Sequence, residues 1–436
     1  MAITISAPFA GTVTRVAVGL GDEVAIGHVV AVLESMKIEH PIAAEASGVV
    51  EQLEVGVGDT LDAGDAILRL RPAQVADGSP AEPDHVDVAA VRPDLAEVLA
   101  RRRMLDDDAR PEAVAKRHRL GRRTARENLV DLVDPGSFEE YGGLAIAAQT
   151  ARRERDDLIL NTAADGFIGG LARVNGDRFD DRASRCAVMS YDYMVLAGTQ
   201  GQRGHAKKDR LLPIVARLRL PVVLFAEGGG GRPGDTDTPA ISGNDLLSFA
   251  LFAGLSGLVP LVGIVSGRCF AGNAALAGCC DVIIATEDAN LGMAGPAMIE
   301  GGGLGRFRPE DIGPVSIQEP NGVLDLVVAD DAAAVAAAKR YLSYFQGTVG
   351  PWTCADQREL RGVVPERRKQ AYDVCRAVEL LADTDSVMEL RRSFGVGMIT
   401  ALVRFEGRPV GVIANNSNHL GGAIDADGAD KAARFM

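Results

Sequence analysis

The chain has 436 residues, and its 60 Asp and Glu against 46 Lys and Arg give a formal net charge of −14. This acidic excess disfavours a protein that coats nucleic acid or anionic lipid. At roughly 100 to 200 residues per domain the length accommodates two to four domains, and 47% hydrophobic residues can fill real cores. The composition therefore predicts a folded, multidomain chain without nucleic-acid or membrane partners.

Targeting and cysteine signals are absent from the sequence. No basic segment precedes an apolar run at the N-terminus, and the longest uncharged stretch, residues 246–267, is interrupted by Pro260. The six cysteines form no CxxC pair, so neither a zinc ribbon nor a disulfide framework is indicated. We expect a cytoplasmic protein without a metal site.

The first 72 residues contain an internal repeat. Four residues return 37 positions later: Gly11, Gly21, Asp22 and Gly27 recur as Gly48, Gly58, Asp59 and Gly64. Each copy alternates apolar and polar residues and then breaks at a Gly-Asp turn, which is typical of short strands with tight turns. Because one unit is used twice, the pattern predicts a small all-β barrel or flattened sandwich over residues 1–72.

The seam between the two copies would lie at a hairpin turn, with Lys37 projecting into solvent beside Met36. This segment resembles the biotinyl domain of biotin-dependent carboxylases, whose modified lysine stands between quasi-symmetric halves. The resemblance implies that Lys37 carries covalent biotin and that Met36 belongs to the attachment motif. Ser35 and Ile38 depart from the alanine and methionine usual in that family. An unmodified surface lysine is the alternative.

A linker and an α/β region follow. Residues 73–93 are rich in Ala, Pro, Asp and Ser without an apolar period, which predicts a flexible linker. From Ser184 onward, apolar strands alternate with helices at the spacing of an α/β domain. We predict strands over residues 186–193, 221–226, 261–266 and 281–286, with helices near residues 202–219 and 242–255 and from Ala271.

Two glycine-rich turns each follow an apolar strand directly, at residues 228–231 and 271–273. Glycine lets backbone N–H groups approach a ligand, so two such turns can hold an oxyanion. Residues 229–234 also satisfy a dinucleotide pattern, but a polar stretch separates them from the next helix. Asp235 and Asp237 are interpreted as a solvated loop in preference to metal ligands.

Residues 266–285 resemble the second oxyanion turn, helix and strand of the crotonase superfamily. Residues 121–140 and 414–434 resemble the acyl-CoA carboxyltransferases of that superfamily, most closely the propionyl-CoA carboxylase β type. The resemblance implies a crotonase-like ββα spiral, the N-terminal carboxyltransferase domain, over residues 94–395. Residues 396–436 would begin the C-terminal half, of which we expect only the start here.

The same resemblance implies the site residues. Gly231 and Gly272 would supply the two oxyanion amides, and the substrate would bind at the neighbouring residues Gly229, Gly230, Ala271 and Asn273. Hydratases of this fold need two glutamates, and by register those positions are Ala275 and Gly295, which cannot move a proton.

Carboxyl transfer from carboxybiotin to the α-carbon of an acyl-CoA instead needs positioning and anion stabilisation, with one oxyanion donor worth about 3 kcal/mol. The sequence therefore predicts the carboxyltransferase and biotin carrier component of an acyl-CoA carboxylase, an enzyme of fatty acid metabolism. The alternatives are a biotin-dependent acyl-CoA decarboxylase component and an inactive carrier or scaffold.

The resemblance also implies partners. These would be a biotin carboxylase subunit, a biotin protein ligase, the missing C-terminal carboxyltransferase half, and further copies of the chain in a homo-oligomer. The Arg- and Lys-rich residues 101–126 are interpreted as a solvated helix face or a patch for CoA phosphates, in preference to a nucleic-acid site.

Overall fold

The computed structural model describes residues 2–75, 87, 89–237, 246–367 and 369–436. The chain separates into two compact units, Met1–Arg92 and Pro93–Met436. Most of the predicted linker, residues 73–93, and the first residues of the helix predicted near 242 lie outside the described residues. Of the helices in the described part of the chain, none combines the length and apolar composition needed to traverse a lipid bilayer.

The first unit is a sandwich of two small antiparallel sheets that enclose an apolar core. Its strands are β1 (Ile3–Ser6), β2 (Gly11–Val16), β3 (Glu23–Val24), β4 (Val29–Ser35), β5 (Ile38–Ala43), β6 (Gly48–Leu53), β7 (Thr60–Leu61) and β8 (Ala66–Pro72). One sheet has the order β1-β8-β6-β3 and the other β5-β4-β2-β7. The predicted all-β fold of this segment is confirmed.

The internal repeat appears in the backbone hydrogen bonds as a quasi-twofold relationship. The N–H of Gly21 donates to the carbonyl of Val50 at 2.8 Å, and the N–H of Gly58 donates to the carbonyl of Val13 at 2.8 Å. Gly58 lies 37 positions after Gly21, and Val50 lies 37 positions after Val13. The second bond therefore repeats the first with the two copies exchanged. Reciprocal backbone hydrogen bonds between the two copies thus stabilise the sandwich.

The second unit contains helices and strands in alternation. Its helices are α1 (Pro93–Arg103), α2 (Pro111–Arg119), α3 (Ala125–Leu132), α4 (Arg155–Asn161), α5 (Asp181–Ser184), α6 (Gln202–Leu218), α7 (Ser248–Ala253), α8 (Gly272–Gly278), α9 (Pro296–Gly301), α10 (Val315–Gln318), α11 (Asp331–Ser343), α12 (Leu360–Val363), α13 (Val374–Leu381) and α14 (Ala426–Phe435). Its strands are β9 (Glu139–Glu140), β10 (Phe167–Arg173), β11 (Arg185–Tyr191), β12 (Val222–Phe225), β13 (Leu261–Val265), β14 (Arg268–Phe270), β15 (Val282–Thr286), β16 (Asn290–Gly292), β17 (Leu326–Val328), β18 (Met388–Leu390), β19 (Met398–Phe405) and β20 (Arg408–Asn415).

The main sheet of this unit has the order β17-β15-β13-β12-β11-β10-β9. The strands from β11 to β17 in that sheet run parallel, whereas β10 and β9 are antiparallel additions at one edge. Its central strands are buried on both faces, which explains their continuous apolar sequences. The predicted strands and the helices α6 and α8 are confirmed, with small shifts at their ends.

This topology brings the two glycine turns together. The turn at residues 228–231 follows β12, and α8 follows β13 and the short β14, so both turns leave the carboxyl ends of neighbouring parallel strands. Ligands of parallel α/β sheets bind at this edge. Residues 396–436 form β19, β20 and α14, and β19 pairs with β18 of the preceding segment; a domain boundary at residue 395 stays a prediction.

Candidate active site

The tip of the β4–β5 hairpin is a two-residue turn made of Met36 and Lys37. Ser35 pairs with Ile38 across it, and φ is +51° at Met36 and +67° at Lys37. Two positive φ values define the type I′ turn, a conformation that costs non-glycine residues about 1–3 kcal/mol each. Met36 is 94% exposed and Lys37 is exposed too. The predicted position of Lys37 at a solvent-facing tip is confirmed, and its amine is accessible for acylation.

The turn at residues 228–231 uses all but one of its amides internally. Gly228 and Gly229 donate to backbone carbonyls at 2.7 Å and 3.3 Å, and Gly230 donates to Asn273 Oδ1 at 3.2 Å. The N–H of Gly231 donates to no group in the described part of the chain. A Cβ at Gly231 would meet nothing within 4 Å. As far as the described residues go, the amide of Gly231 is thus the one in this turn available to a ligand.

The second turn presents another unpaired amide beside the first. Ala271, with φ +51°, precedes α8, and Gly272 is the first residue of that helix, where an N–H has no intrahelical acceptor. Within the described residues Gly272 N–H has no other acceptor. A Cβ at Gly230 would lie 2.6 Å from Ala271 Cβ and 3.4 Å from Gly272 N. The two predicted glycine turns are therefore in contact.

Asn273 joins the two turns. Its Oδ1 accepts hydrogen bonds at 3.2 Å from both Gly230 N and Gln200 Nε2. Its Nδ2 donates to the carbonyls of Gly198 at 3.2 Å and Glu227 at 3.4 Å. The side chain is fully buried. The sequence predicts a substrate contact at Asn273, which stays a prediction. In the structure, its side chain hydrogen-bonds the first turn from the second and fixes their relative position.

A buried lysine lies behind Gln200. Lys208 Nζ donates to Gln200 Oε1 at 2.9 Å and to the Tyr191 hydroxyl at 2.8 Å. The rings of Phe167, Tyr191 and Phe249 surround the amine with centroids 5.6, 5.4 and 5.8 Å away. Lys208 is 1% exposed, and this burial lowers its pKa to about 7.

Sequence reasoning missed both Gln200 and Lys208. The buried residues of α6 recur at helical spacing: Gly204, His205, Lys208, Leu211, Leu212 and Val215. Lys208 therefore lies on the apolar face of an amphipathic helix, one turn from Leu211 and Leu212. A lysine at such a position is a detectable signal of a buried amine, because a lysine is almost never fully buried without a partner.

Arg232 fixes the chain immediately after Gly231. Its guanidinium forms an ion pair with Asp165 and donates to the carbonyls of Thr199 at 2.9 Å and Asp165 at 3.1 Å. Asp235 is also buried, and its carboxylate accepts from Gln202 N at 2.9 Å at the start of α6. The prediction of a solvated loop is therefore wrong for Asp235, which caps a helix.

The predicted solvated face at residues 101–126 is also wrong in part. Arg117 is buried, and its two guanidinium nitrogens donate to both carboxylate oxygens of Glu227 at 2.9 Å and 2.8 Å. Arg110 likewise pairs with Asp192 at 2.6 Å. The sequence pattern does not reveal these pairs, because each acid lies about a hundred residues from its arginine in sequence. By contrast, residues 102 and 103 line a cavity of about 910 Å³.

The positions of the hydratase glutamates hold residues without a carboxyl group. Ala275 lies within α8, and a Cβ at Gly295 would lie 3.6 Å from the ring of Phe270. The acidic residues next to the glycine turns, Glu227 and Asp165, are both engaged by arginines. The arrangement can stabilise negative charge through backbone amides. Glu227 and Asp165 are held in ion pairs, which stabilise the fold around the turns.

Family comparisons match nearly the whole chain. Residues 116–436 match the carboxyl transferase domain family, and residues 2–70 match the family described as biotin-requiring enzyme. Together with the sheet topology, these matches identify the second unit as a crotonase-like α/β domain that follows a biotinyl domain.

Individual relatives are acyl-CoA carboxylases and transcarboxylases. The chain is 30% identical to the biotin-dependent long chain acyl-coenzyme A carboxylase beta4 subunit of Mycobacterium tuberculosis, over 78% of this chain and 65% of that protein. A solved single-chain, multi-domain long-chain acyl-CoA carboxylase is 55% identical, with a TM-score of 0.77, over 100% of this chain and 41% of the other. The transcarboxylase 12S hexamer crystallised with hydrolysed methylmalonyl-coenzyme A is 27% identical, with a TM-score of 0.67, over 80% and 68% of the two chains. The chain thus spans 65% or less of the first two relatives.

Proposed function

The chain belongs to the carboxyl transferase domain family, and from that premise we propose that it is the carboxyltransferase and biotin carrier component of an acyl-CoA carboxylase. The observation that carries the proposal is the pair of unpaired amides at Gly231 and Gly272 on two turns in contact. These N–H groups would hold the thioester oxygen of an acyl-CoA. Negative charge grows on that oxygen when the α-carbon loses its proton, so the amides bind the transition state more tightly than the substrate.

The neighbouring residues support this role by fixing the amides in advance. Asn273 ties the turns together, and Arg232 anchors the chain after Gly231 through Asp165. Preorganised donors need no rearrangement as charge develops, and each is worth about 3–4 kcal/mol in acyl transfer. Gly229, Gly230 and Ala271 shape the surface over which the thioester would lie.

Lys37 would hold the cofactor. An exposed amine at the tip of a tight hairpin is suited to form an amide bond with the carboxyl group of biotin. Met36 beside it would be recognised by the ligase. Biotin, when attached, supplies an activated carboxyl group to the site. The chain's own contribution is to present the lysine on a rigid turn and, in the second unit, to hold the acceptor thioester.

The proposal extends to partners and compartment. A biotin carboxylase subunit would carboxylate the cofactor, a biotin protein ligase would attach it, and a C-terminal carboxyltransferase half would complete the site. A homo-oligomer is supported by the hexamer of the transcarboxylase relative. Cytoplasm is proposed as the compartment, since all six cysteines are free thiols.

Gly231→Pro tests the proposal directly. Proline removes the N–H of residue 231, which donates no hydrogen bond within the described structure, so the fold should keep its internal bonds. In the complete enzyme, kcat for carboxyl transfer to an acyl-CoA should fall by about 10² to 10³, with a smaller change in KM.

Gly231→Ala is the matched control. It keeps the amide, and its Cβ meets no protein atom within 4 Å, so it should retain most of the activity. Circular dichroism on both variants separates a lost donor from a lost fold. Near-normal carboxyl transfer by a folded Gly231→Pro enzyme would show that this amide does not hold the oxyanion.

A further inference from the structure

A hydrogen-bonded chain connects the buried amine to the glycine turns. Lys208 Nζ donates to Gln200 Oε1 at 2.9 Å, Gln200 Nε2 donates to Asn273 Oδ1 at 3.2 Å, and Asn273 Oδ1 also accepts from Gly230 N at 3.2 Å. Gln200 also bonds the first turn through its backbone, because its N–H donates to Gly230 O at 2.7 Å. All three side chains are at most 4% exposed.

The direction of this chain is set by the charge at its start. A protonated lysine has donors and no acceptor, so Gln200 must turn its oxygen toward Lys208 and its NH₂ toward Asn273. Asn273 must then offer its oxygen to the turn amide and its NH₂ to the backbone carbonyls. A neutral amine can also accept a hydrogen bond, which makes both orientations of the Gln200 carboxamide possible.

Gln200 also lies against the second turn. A Cβ at Gly272 would be 3.0 Å from Gln200 Nε2 and 3.2 Å from the Phe249 ring. The carboxamide is therefore packed between the two turns that carry the unpaired amides. Reorienting it would exchange an N–H and an oxygen next to the position where a substrate anion would lie.

We propose that Lys208 is a positioning residue of the oxyanion site, acting through Gln200 and Asn273 and active in its protonated form. This proposal rests on the proposed function and adds to it a residue that does not touch the substrate. Within the described residues no carboxylate is hydrogen-bonded to its positive charge, so it also adds a favourable field for an anion held by the turns.

The groups around Lys208 leave few sources of pH dependence near neutrality. On α6, the charge of Asp209 favours the protonated form of Lys208, and burial lowers the pKa of His205 to about 3, so His205 is neutral. Burial also lowers the pKa of Lys207 to about 8. From the elements packed against α6, Asp165 is paired with Arg232, Ser248 hydrogen-bonds Asp209, and Tyr191 and Cys269 have strongly raised pKa values. Lys207 is therefore the group that needs a control.

The experiment compares propionyl-CoA with S-propyl-CoA, a thioether that lacks the carbonyl oxygen. Calorimetric titration of the full chain between pH 6 and pH 9 gives the affinity ratio of the two probes. We expect the wild type to favour the thioester by about tenfold at pH 6, the worth of one good hydrogen bond, and by about twofold at pH 9. Lys208→Met should show about twofold at every pH, with unchanged thioether affinity.

Lys207→Met is the matched control, because the amine of Lys207 donates to the carbonyls of Ala164 and Phe167 and not to Gln200. It should keep the wild-type ratio and its pH dependence. Gln200→Met, which breaks the chain at the next link, should behave like Lys208→Met and decides the matter if the lysine variant does not fold.

The outcomes separate the two proposals. A wild type that binds both probes equally at pH 6 would reject the oxyanion site itself, and the role of Lys208 with it. A wild type with the expected ratio, beside Lys208→Met and Gln200→Met proteins that keep that ratio and its pH dependence, would reject the role of Lys208 alone.

Discussion

Arg232 holds the carboxylate of Asp165 in an ion pair whose side chains are 4% and 0% exposed, one residue beyond the unpaired amide of Gly231. The same guanidinium bonds two backbone carbonyls. Planar, forked donors are needed to reach all these acceptors at once. The position of the Gly231 amide therefore depends on an almost completely buried ion pair.

Arg232→Lys should destabilise the fold. A lysine keeps the charge but cannot reach Asp165 and the carbonyls of Thr199 and Asp165 together, which leaves buried acceptors unpaired. We expect the free energy of unfolding to fall by about 2–4 kcal/mol in urea titrations. Arg306→Lys is the control, because its pair with Glu300 is 86% and 52% exposed. Equal stability of both variants would contradict this account.

Asn273→Ala should separate the two turns. The change leaves the N–H of Gly230 and the carbonyls of Gly198 and Glu227 without their side-chain partner, at a cost of about 2–4 kcal/mol. Carboxyl transfer should fall mainly in kcat, since substrate contacts remain. Asn321→Ala, at an exposed asparagine, should change neither quantity. Thermal denaturation beside the activity assay checks both, and an unchanged melting temperature for Asn273→Ala would show that Asn273 does not hold the two turns together.

Lys37→Arg should abolish biotin attachment. Arginine keeps the positive charge and the turn, but its guanidinium does not form the amide bond. Intact mass after coexpression with a biotin ligase should rise by one biotin in the wild type and in Lys116→Arg, a change at another exposed lysine. Biotin retained on the Lys37→Arg protein would place the attachment elsewhere.

Lys208 should impose a pH dependence on stability. Its folded pKa of about 7 lies below its value of 10.5 in an unfolded chain. Between these values the unfolded state binds the extra proton, so stability rises with pH by up to about 1.4 kcal/mol per unit. Denaturation of wild type and Lys208→Met at pH 7.5 and 9.5 measures the difference, which the variant should lack. Identical slopes would show that the amine is not perturbed in the fold.

Local sequence patterns predicted the elements that form the site and Asn273, but not the buried Gln200 and Lys208. The strands β11, β12, β13 and β15 could be predicted because strands buried on both faces are apolar throughout. The two glycine turns could be predicted because each follows such a strand. The family resemblance implied Gly231 as the glycine of 228–231 with a free amide, but the local pattern could not choose it, since the choice depends on bonds to Asn273 and to distant carbonyls. Partners far apart in sequence, such as Arg117 and Glu227, leave no local pattern.

The quasi-twofold symmetry of the first unit bears on stoichiometry. The β4–β5 turn has its counterpart, 37 residues on, where the chain leaves β8, and the residue there that corresponds to Lys37 is Gln74. A carboxamide is no nucleophile, so a ligase that recognised either copy would find an acylable amine in one of them. We therefore expect one biotin on the duplicated unit, residues 1–72, at Lys37.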